Sequence, residues 1–273
     1  MTYSFNGGHM ANFAQLANSL TDSASGWTLD ISDNWKQGRT LYGGLTTGLC
    51  YEATQRALGG LPPLRSCQIS FVGPVSSTPH IKAKTLRQGR NVTTVQTDMY
   101  IGDQNVATAA LLFGAGRESK LTVGHSAPEA TAPEDYPSYF PDEIAAFAPA
   151  FTHNFDIKLI EGGRPITGAE RGYIRVWARH KDPASRNGMG SFLTLGDVLP
   201  PAALPMFKKM GPVSSMNWQI NILNEAMKTE DGWWQIETEL TASSRGYSSQ
   251  IMRYWNSEGQ LCAEATQSVT IFI

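Results

Sequence analysis

Residues 42–58, YGGLTTGLCYEATQRAL, decide how this chain is read. Leu45, Leu49, Cys50, Ala53 and Ala57 recur at helical spacing, and no charge interrupts the segment before Glu52. The rest of it is rich in small residues. A helix apolar on most faces is buried on most faces, so the stretch predicts a buried helix, opened by Gly43 and Gly44.

Beyond this helix the pattern changes to that of strands. Four strand-like runs, about 65–72, 80–87, 92–101 and 104–113, are separated by Gly73-Pro74, Gln88-Gly89-Arg90-Asn91 and Gly102-Asp103. Those breaks are turn formers, and long runs joined by short turns predict an antiparallel meander. Upstream, Phe13, Leu16 and Leu20 share one face of a short helix over 11–20, and Trp27, Leu29 and Ile31 alternate as in a half-buried strand.

From Gly116 to Pro149 the composition changes to Pro, Ala, Glu, Ser and Asp, as expected of a linker that wraps the surface. The first pattern then returns. Strands are predicted over 153–160 and 172–179, a buried helical segment over 191–210, and four strands over 214–223, 233–240, 247–255 and 261–271. Two weakly similar halves of equal style predict a duplicated unit, a long helix against a curved antiparallel sheet, in the α+β class. The domain boundaries expected are 1–115 and 151–273, with 116–150 between them.

The 273 residues are 41% hydrophobic with a formal net charge of -2, which suits a globular protein with a full core. No basic run marks a nucleic-acid surface, and no apolar stretch approaches the ~18 residues of a membrane span. Met1–Met10 lack the pattern of a signal peptide. Cys50, Cys67 and Cys262 are odd in number and widely separated, so neither a disulfide framework nor a metal site is expected. A cytoplasmic setting is the simplest expectation.

Several chemistries are missing their motifs. There is no Gly-x-Ser-x-Gly elbow and no phosphate-binding Gly-Lys-Ser/Thr loop. Gly188-Met189-Gly190 begins like a dinucleotide fingerprint, but Leu193 occupies the third glycine position. His9, His80, His125, His153 and His180 are scattered, without zinc spacing and with none near either helical segment.

Three polar residues stand out in apolar surroundings. Asp197 lies within Phe192–Pro200, inside or at the start of the second helical segment; a carboxylate there must be paired, capping or functional. The plain alternative is an N-cap. Gln267 lies in the last strand, and its alternative is an outward position on an edge strand. Counting six residues on from Val106 and from Leu261 sets Gln267 against Leu112, an amide in one half against an apolar residue in the other. Ser215 begins the strand after Gly211-Pro212, where a hydroxyl reaches a helix end or simply serves the turn.

With these residues in view, the chain from about Leu41 to the C-terminus resembles the double-hotdog acyl-CoA thioesterases of the thioesterase II (TesB-like) type. Tyr42-Gly43-Gly44 with Thr47-Gly48 is similar to the family's entry into the hotdog helix, and Ser70–Pro74 to its Phe-x-x-Pro strand end. Leu86–Asn91 resembles its Leu-Arg-x-Gly turn, Gly196–Pro200 its Asp-containing helix, and Ala242–Gly246 its Ala-Ser-Ser-x-Arg-Gly turn. The order and spacing of these matches, more than any one of them, carry the resemblance.

The resemblance implies hydrolysis of acyl-CoA thioesters, as in fatty acid metabolism, by an Asp, a Thr or Ser, and a Gln. These map to Asp197, Ser215 and Gln267. Backbone N–H groups near Gly43 and Gly44 would polarise the thioester oxygen. No cofactor and no metal are called for. An acyl-CoA is the expected partner, and a homodimer the expected assembly. Two departures bear on substrate preference: Ser215 where the family's bacterial type carries Thr, and Asn217-Trp218 in place of an Asp-His pair. A non-catalytic acyl-thioester binding module and a hotdog hydratase or dehydratase stand as alternatives.

Overall fold

In the computed structural model, residues 10–225, 227 and 229–273 are described; His9 and most of the Met1–Met10 segment lie outside them. Helix α1 (Phe13–Ser19) is opened by a capping box between Asn12 and Gln15. The hairpin β1 (Thr21–Ser23) and β2 (Gly26–Thr28) and the ribbon β3 (Lys36–Gln37) and β4 (Thr40–Leu41) lead into α2 (Gly43–Leu58). The meander comes next as β5 (Leu64–Phe71), β6 (His80–Gln88), β7 (Thr93–Ile101) and β8 (Gln104–Phe113). After a connection holding the one-turn α3 (Asp142–Ala145) come β9 (Phe155–Gly162), β10 (Tyr173–His180) and α4 (Met189–Gly196). The chain ends in β11 (Val213–Ile222), β12 (Trp234–Ser244), β13 (Tyr247–Trp255) and β14 (Leu261–Ile271).

All strands but the β3–β4 ribbon join one 12-stranded antiparallel sheet, ordered β1-β2-β6-β7-β8-β5-β11-β14-β13-β12-β10-β9. Its centre is the pairing of β5 with β11, where Gln68 faces Gln219 and Ile69 faces Trp218. The architecture is the duplicated α+β unit that the residue pattern predicts, in the double-hotdog form that the resemblance implies. Both halves repeat even their irregularities. The β5–β8 register slips between Leu64 and Ser66, and the β11–β14 register slips between Ser215 and Asn217. Each bulge inserts one residue and bends its strand.

Helix α2 is buried from Gly44 to Cys50 and at Ala53 and Thr54, while Arg56 and Ala57 in its last turn are exposed. The hydroxyls of its threonines are satisfied locally: Thr46 Oγ1 donates to the Tyr42 carbonyl, Thr47 to Gly43 and Thr54 to Cys50. Its glycines permit close contact with α4. A Cβ on Gly44 would run into the Thr194 carbonyl, one on Gly48 into the Thr194 hydroxyl, and one on Gly190 into the Glu52 carboxylate. At Gly44 and Gly48 the two helices thus approach each other's backbone, which a larger residue would prevent, whereas Gly190 meets only the Glu52 side chain.

The second helical segment is shorter than the sequence predicts. It ends at Gly196, and 197–203 is a turn leading to a single tight turn at Leu204–Met206. Pro200 and Pro201 supply no N–H and cannot continue a helix, and apolar residues alone hid that stop. Asp197 is therefore the C-cap residue of α4 and not an N-cap.

Residues 125–131 lie across the sheet of the second half. The Trp255 indole donates to the His125 carbonyl, Gln235 to Pro128 and Trp177 to Thr131. Residues 137–139 also bond along β9, with Leu159 N–H donating to Pro137 O and Tyr139 N–H to Ile157 O. They cover that edge of the sheet against pairing with another strand over this length. No helix among the described residues is long and apolar enough to cross a membrane.

Candidate active site

Asp197, Ser215 and Gln267 come from three elements and meet. Gln267 projects inward from β14, an interior strand, and is 3% exposed; the outward, edge-strand alternative does not hold. Its Nε2 donates to Asp197 Oδ1 at 2.9 Å and to Ser215 Oγ at 3.0 Å. Ser215 is carried there by the β11 bulge, which Asn217 closes by accepting the Ser268 N–H at 3.2 Å. Trp218 is fully buried and pairs across the ladder with Gln267.

The carboxylate lies between two helix ends. It comes just after the last turn of α4, whose carbonyls repel it, and it faces the first turn of α2, whose N–H groups attract it. Tyr42 OH donates to Thr194 O at 2.9 Å and Tyr254 OH to Gly196 O at 2.8 Å, so two buried tyrosines occupy carbonyls at that end of α4. Helix α2 has no side-chain cap of its own. The Asp197 carboxylate of the second half lies by that open helix start, where the Gly44 N–H favours its charged form. Burial pushes the Asp197 carboxyl up to about 7, against the pull of the Gln267 amide and the Gly44 N–H. Burial, and then the Asp197 charge, raise Tyr42 and Tyr254 well above the ordinary phenol, so both are neutral donors.

Gly43 leaves the space beside the second carboxylate oxygen. A Cβ there would sit 2.6 Å from Asp197 Oδ2 and 3.0 Å from Phe71 Cζ. That space opens into a cleft of about 460 Å³ lined from both halves: Gly43, Thr46, Phe71, Val75 and Val106 from the first, Asp197, Pro201, Val213 and Ser215 from the second. Gly43 and Gly44 thus part company. Gly44 serves helix packing, and its N–H favours the charged form of the Asp197 carboxylate. Gly43 keeps the cleft open.

One participant was missed by sequence. Gln250, fully buried on β13, accepts the Ala202 N–H at 2.7 Å and donates to Gln267 Oε1 at 2.8 Å. It sits among Ser, Tyr and Met residues that give no contrast in the sequence. The cross-strand pairing is the only signal, and that requires the register. The register also corrects the partner of Gln267 in the first half. Cys67 pairs with Leu111 as Trp218 pairs with Gln267, so the counterpart is Leu111 and not Leu112. A slip of one residue moves a side chain to the other face of the sheet.

The expectation that no histidine approaches the helices also needs correcting. His180 Nε2 lies 2.9 Å from the Ser191 carbonyl in α4. It is packed against Phe155 and near Phe13 and Trp35, and burial lowers its pKa to about 4, so it is a neutral core residue. Ser191 is near the start of α4, the end opposite Asp197.

Comparison with known proteins agrees with this architecture. Family models described as the acyl-CoA thioesterase N-terminal domain and the acyl-CoA thioesterase C-terminal domain match residues 31–114 and 127–271. No curated protein matches the chain by sequence. Among solved structures, a conserved hotdog protein of unknown function from Alicyclobacillus acidocaldarius superposes with a TM-score of 0.86 at 20% identity, covering 97% of this chain and 99% of its own. The tesB protein of Mycobacterium avium subs paratuberculosis gives 0.74 at 14% identity, over 94% and 98%. An acyl-CoA thioesterase II from Mycobacterium marinum gives 0.74 at 12%, over 95% and 97%. At such identities the likeness to solved structures is one of fold.

Proposed function

The chain belongs to the acyl-CoA thioesterase family, and on that premise we propose that it hydrolyses acyl-CoA by a water activated at Asp197, with Gln267 and Ser215 fixing that water's position. The observation that carries the reading is the convergence of Asp197, Gln267 and Ser215 at the mouth of a cleft, with Asp197 Oδ2 directed at the space left by Gly43.

The water occupies that space and donates to Oδ2, while Oδ1 is engaged by Gln267. Ser215 Oγ accepts from Gln267, which leaves its own proton free to donate to the water oxygen. Attack forms a C–O bond at the thioester carbon as the water's proton passes to Asp197. A carboxyl with a pKa of about 7 is a stronger base than an ordinary carboxylate and still ionises near neutrality. The oxyanion that develops is held by the Gly43 N–H at the first position of α2, where the helix leaves its N–H groups unbonded. Collapse breaks the C–S bond, and Asp197 returns its proton to the departing CoA thiolate, giving free acid and CoA.

The acyl part lies in the cleft between the units 1–115 and 151–273, which 116–150 link, and the CoA part extends to the surface. The test is release of free thiol from short, medium, long and aryl acyl-CoAs, with Asp197→Asn in parallel. Hydrolysis that the variant abolishes while retaining the wild-type melting profile supports the reading. A folded protein that hydrolyses none of the panel returns the choice to a binding module.

A further inference from the structure

Gln250 lies one strand beyond Gln267 and lines no part of the cleft. We propose that Gln250 is a positioning residue of the hydrolysis: it holds the Gln267 amide the one way round that presents Nε2 to Asp197 and Ser215. This rests on the roles given above to Asp197 and Gln267.

A primary amide has nearly the same shape either way round, so only its hydrogen bonds choose between the two. Gln267 by itself lacks that choice. Turned over, its oxygen would accept from the Ser215 hydroxyl and lie against Asp197, and the carboxylate would lose its donor. The decision comes from a group with no freedom. The Ala202 backbone N–H can only donate, and it donates to Gln250 Oε1 at 2.7 Å. Gln250 must therefore turn its Nε2 to Gln267 Oε1, 2.8 Å away. Gln267 in turn presents Nε2 to Asp197 Oδ1 and Ser215 Oγ. Reversing either amide would set donor against donor at one end and acceptor against acceptor at the other. Because Ala202 lies on the 197–203 segment that begins at Asp197, the chain of bonds closes on the segment that carries the carboxylate.

The first half supplies a second observation. Gln250 pairs with Gln267 across β13 and β14, and the equivalent pair across β7 and β8 is Val95 with Leu111. Val95, Leu111 and Gln250 are all fully buried. Packing at these two positions is thus met by apolar side chains, and the amides occur together, in the half where the chain of bonds ends on Asp197. A buried amide is costly unless its bonds are all made.

The test compares Gln250→Leu, Gln267→Leu and the double variant, measuring kcat and KM for an acyl-CoA across pH. Gln250→Met, unbranched and similar in length, replaces Gln250→Leu if the latter does not fold. The expected result for the Gln250 variant is a kcat lowered about tenfold, as for loss of one oriented hydrogen bond, with KM nearly unchanged. The acid limb of its kcat profile should move to higher pH, because Asp197 loses a fixed donor that favours its charged form. In the Gln267→Leu background the Gln250 substitution should have no further effect on kcat. A loss that multiplies with that of Gln267→Leu, or an unmoved acid limb, would overturn the proposal while leaving Gln267 in the mechanism. An unchanged kcat in Gln267→Leu alone would overturn the parent reading and the role of Gln250 with it.

Discussion

The two halves share one backbone plan and differ in what they place at corresponding points. Each has its bulge, its central strand and its helix, and each helix carries in its first turn a glycine against a carboxylate of the other half. Gly43 faces Asp197, and Gly190 faces Glu52. Around Asp197 stand Ser215, Gln267 and Gln250; the positions matching them in the first half are Leu64, Leu111 and Val95. Burial raises the pKa of both carboxyls, but Asp197 is offset by the Gln267 amide and the Gly44 N–H, and Glu52 by the Arg56 charge. Burial and a helix terminus are therefore common to both carboxylates. The polar residues on the sheet are not, and only around Asp197 do they hold a carboxylate in one orientation beside an open space.

The comparison can be broken most severely at the carboxylates. Asp197→Asn should lower kcat/KM by about 10²–10⁴, the usual worth of a general base, while Glu52→Gln should leave it unchanged. Thiol release from one acyl-CoA, measured on both variants, checks this. Equal losses would mean that both ends of the helix pair are active.

The glycines come next. Gly43→Ala puts a methyl into the space beside Asp197 Oδ2 and against the Phe71 ring, and should cost about 100-fold in kcat, the scale of a small misplacement in a positioned reaction. In Gly190→Ala the new methyl meets only the flexible Glu52 side chain, and activity should persist. The same assay separates them.

A smaller effect tests the sheet itself. Leu111→Gln buries an amide beside Val95, which offers it no bond, and should destabilise the fold by about 1–3 kcal/mol. Adding Val95→Gln should recover part of that loss, since the two amides can then bond as Gln250 and Gln267 do. Urea denaturation of the single and double variants measures the coupling.

The mildest effect is on pH. Asp197 has its pKa raised from 3.8 to about 7 in the folded state, so folding favours its protonated form. Its contribution to stability is fully present below the unfolded value and is lost as pH rises from about 4 to about 7. The melting temperature of Asp197→Asn relative to the wild type should therefore climb by a few °C across that window and level off above it. Activity should run the other way, rising through about pH 7 as the carboxylate forms. Melting curves and initial rates at the same pH values test both signs.

Much of this was legible in the chain. The spacing in 42–58, the turn formers between strands and the repetition after residue 150 yield two helix-and-sheet units. Asp197, Ser215 and Gln267 stood out against apolar neighbours. The end of α4 was not legible, because an apolar run continues past Gly196 and only the paired prolines mark the stop. The different tasks of Gly43 and Gly44 were not legible either, since both answer to what lies across the helix interface.

The sequence by itself thus determined the class of fold and which side chains are out of place in an apolar setting. Periodicity and composition are local properties, and a buried polar group is visible wherever its neighbours are oily. Tertiary structure alone decided which strands pair, and in what register. That choice replaced Leu112 with Leu111 as the counterpart of Gln267, brought Gln250 into the site and joined the start of α2 to the carboxylate after α4. Hydrogen bonds are made over about 3 Å between residues far apart in the chain, and sequence carries no measure of that distance until the sheet has closed.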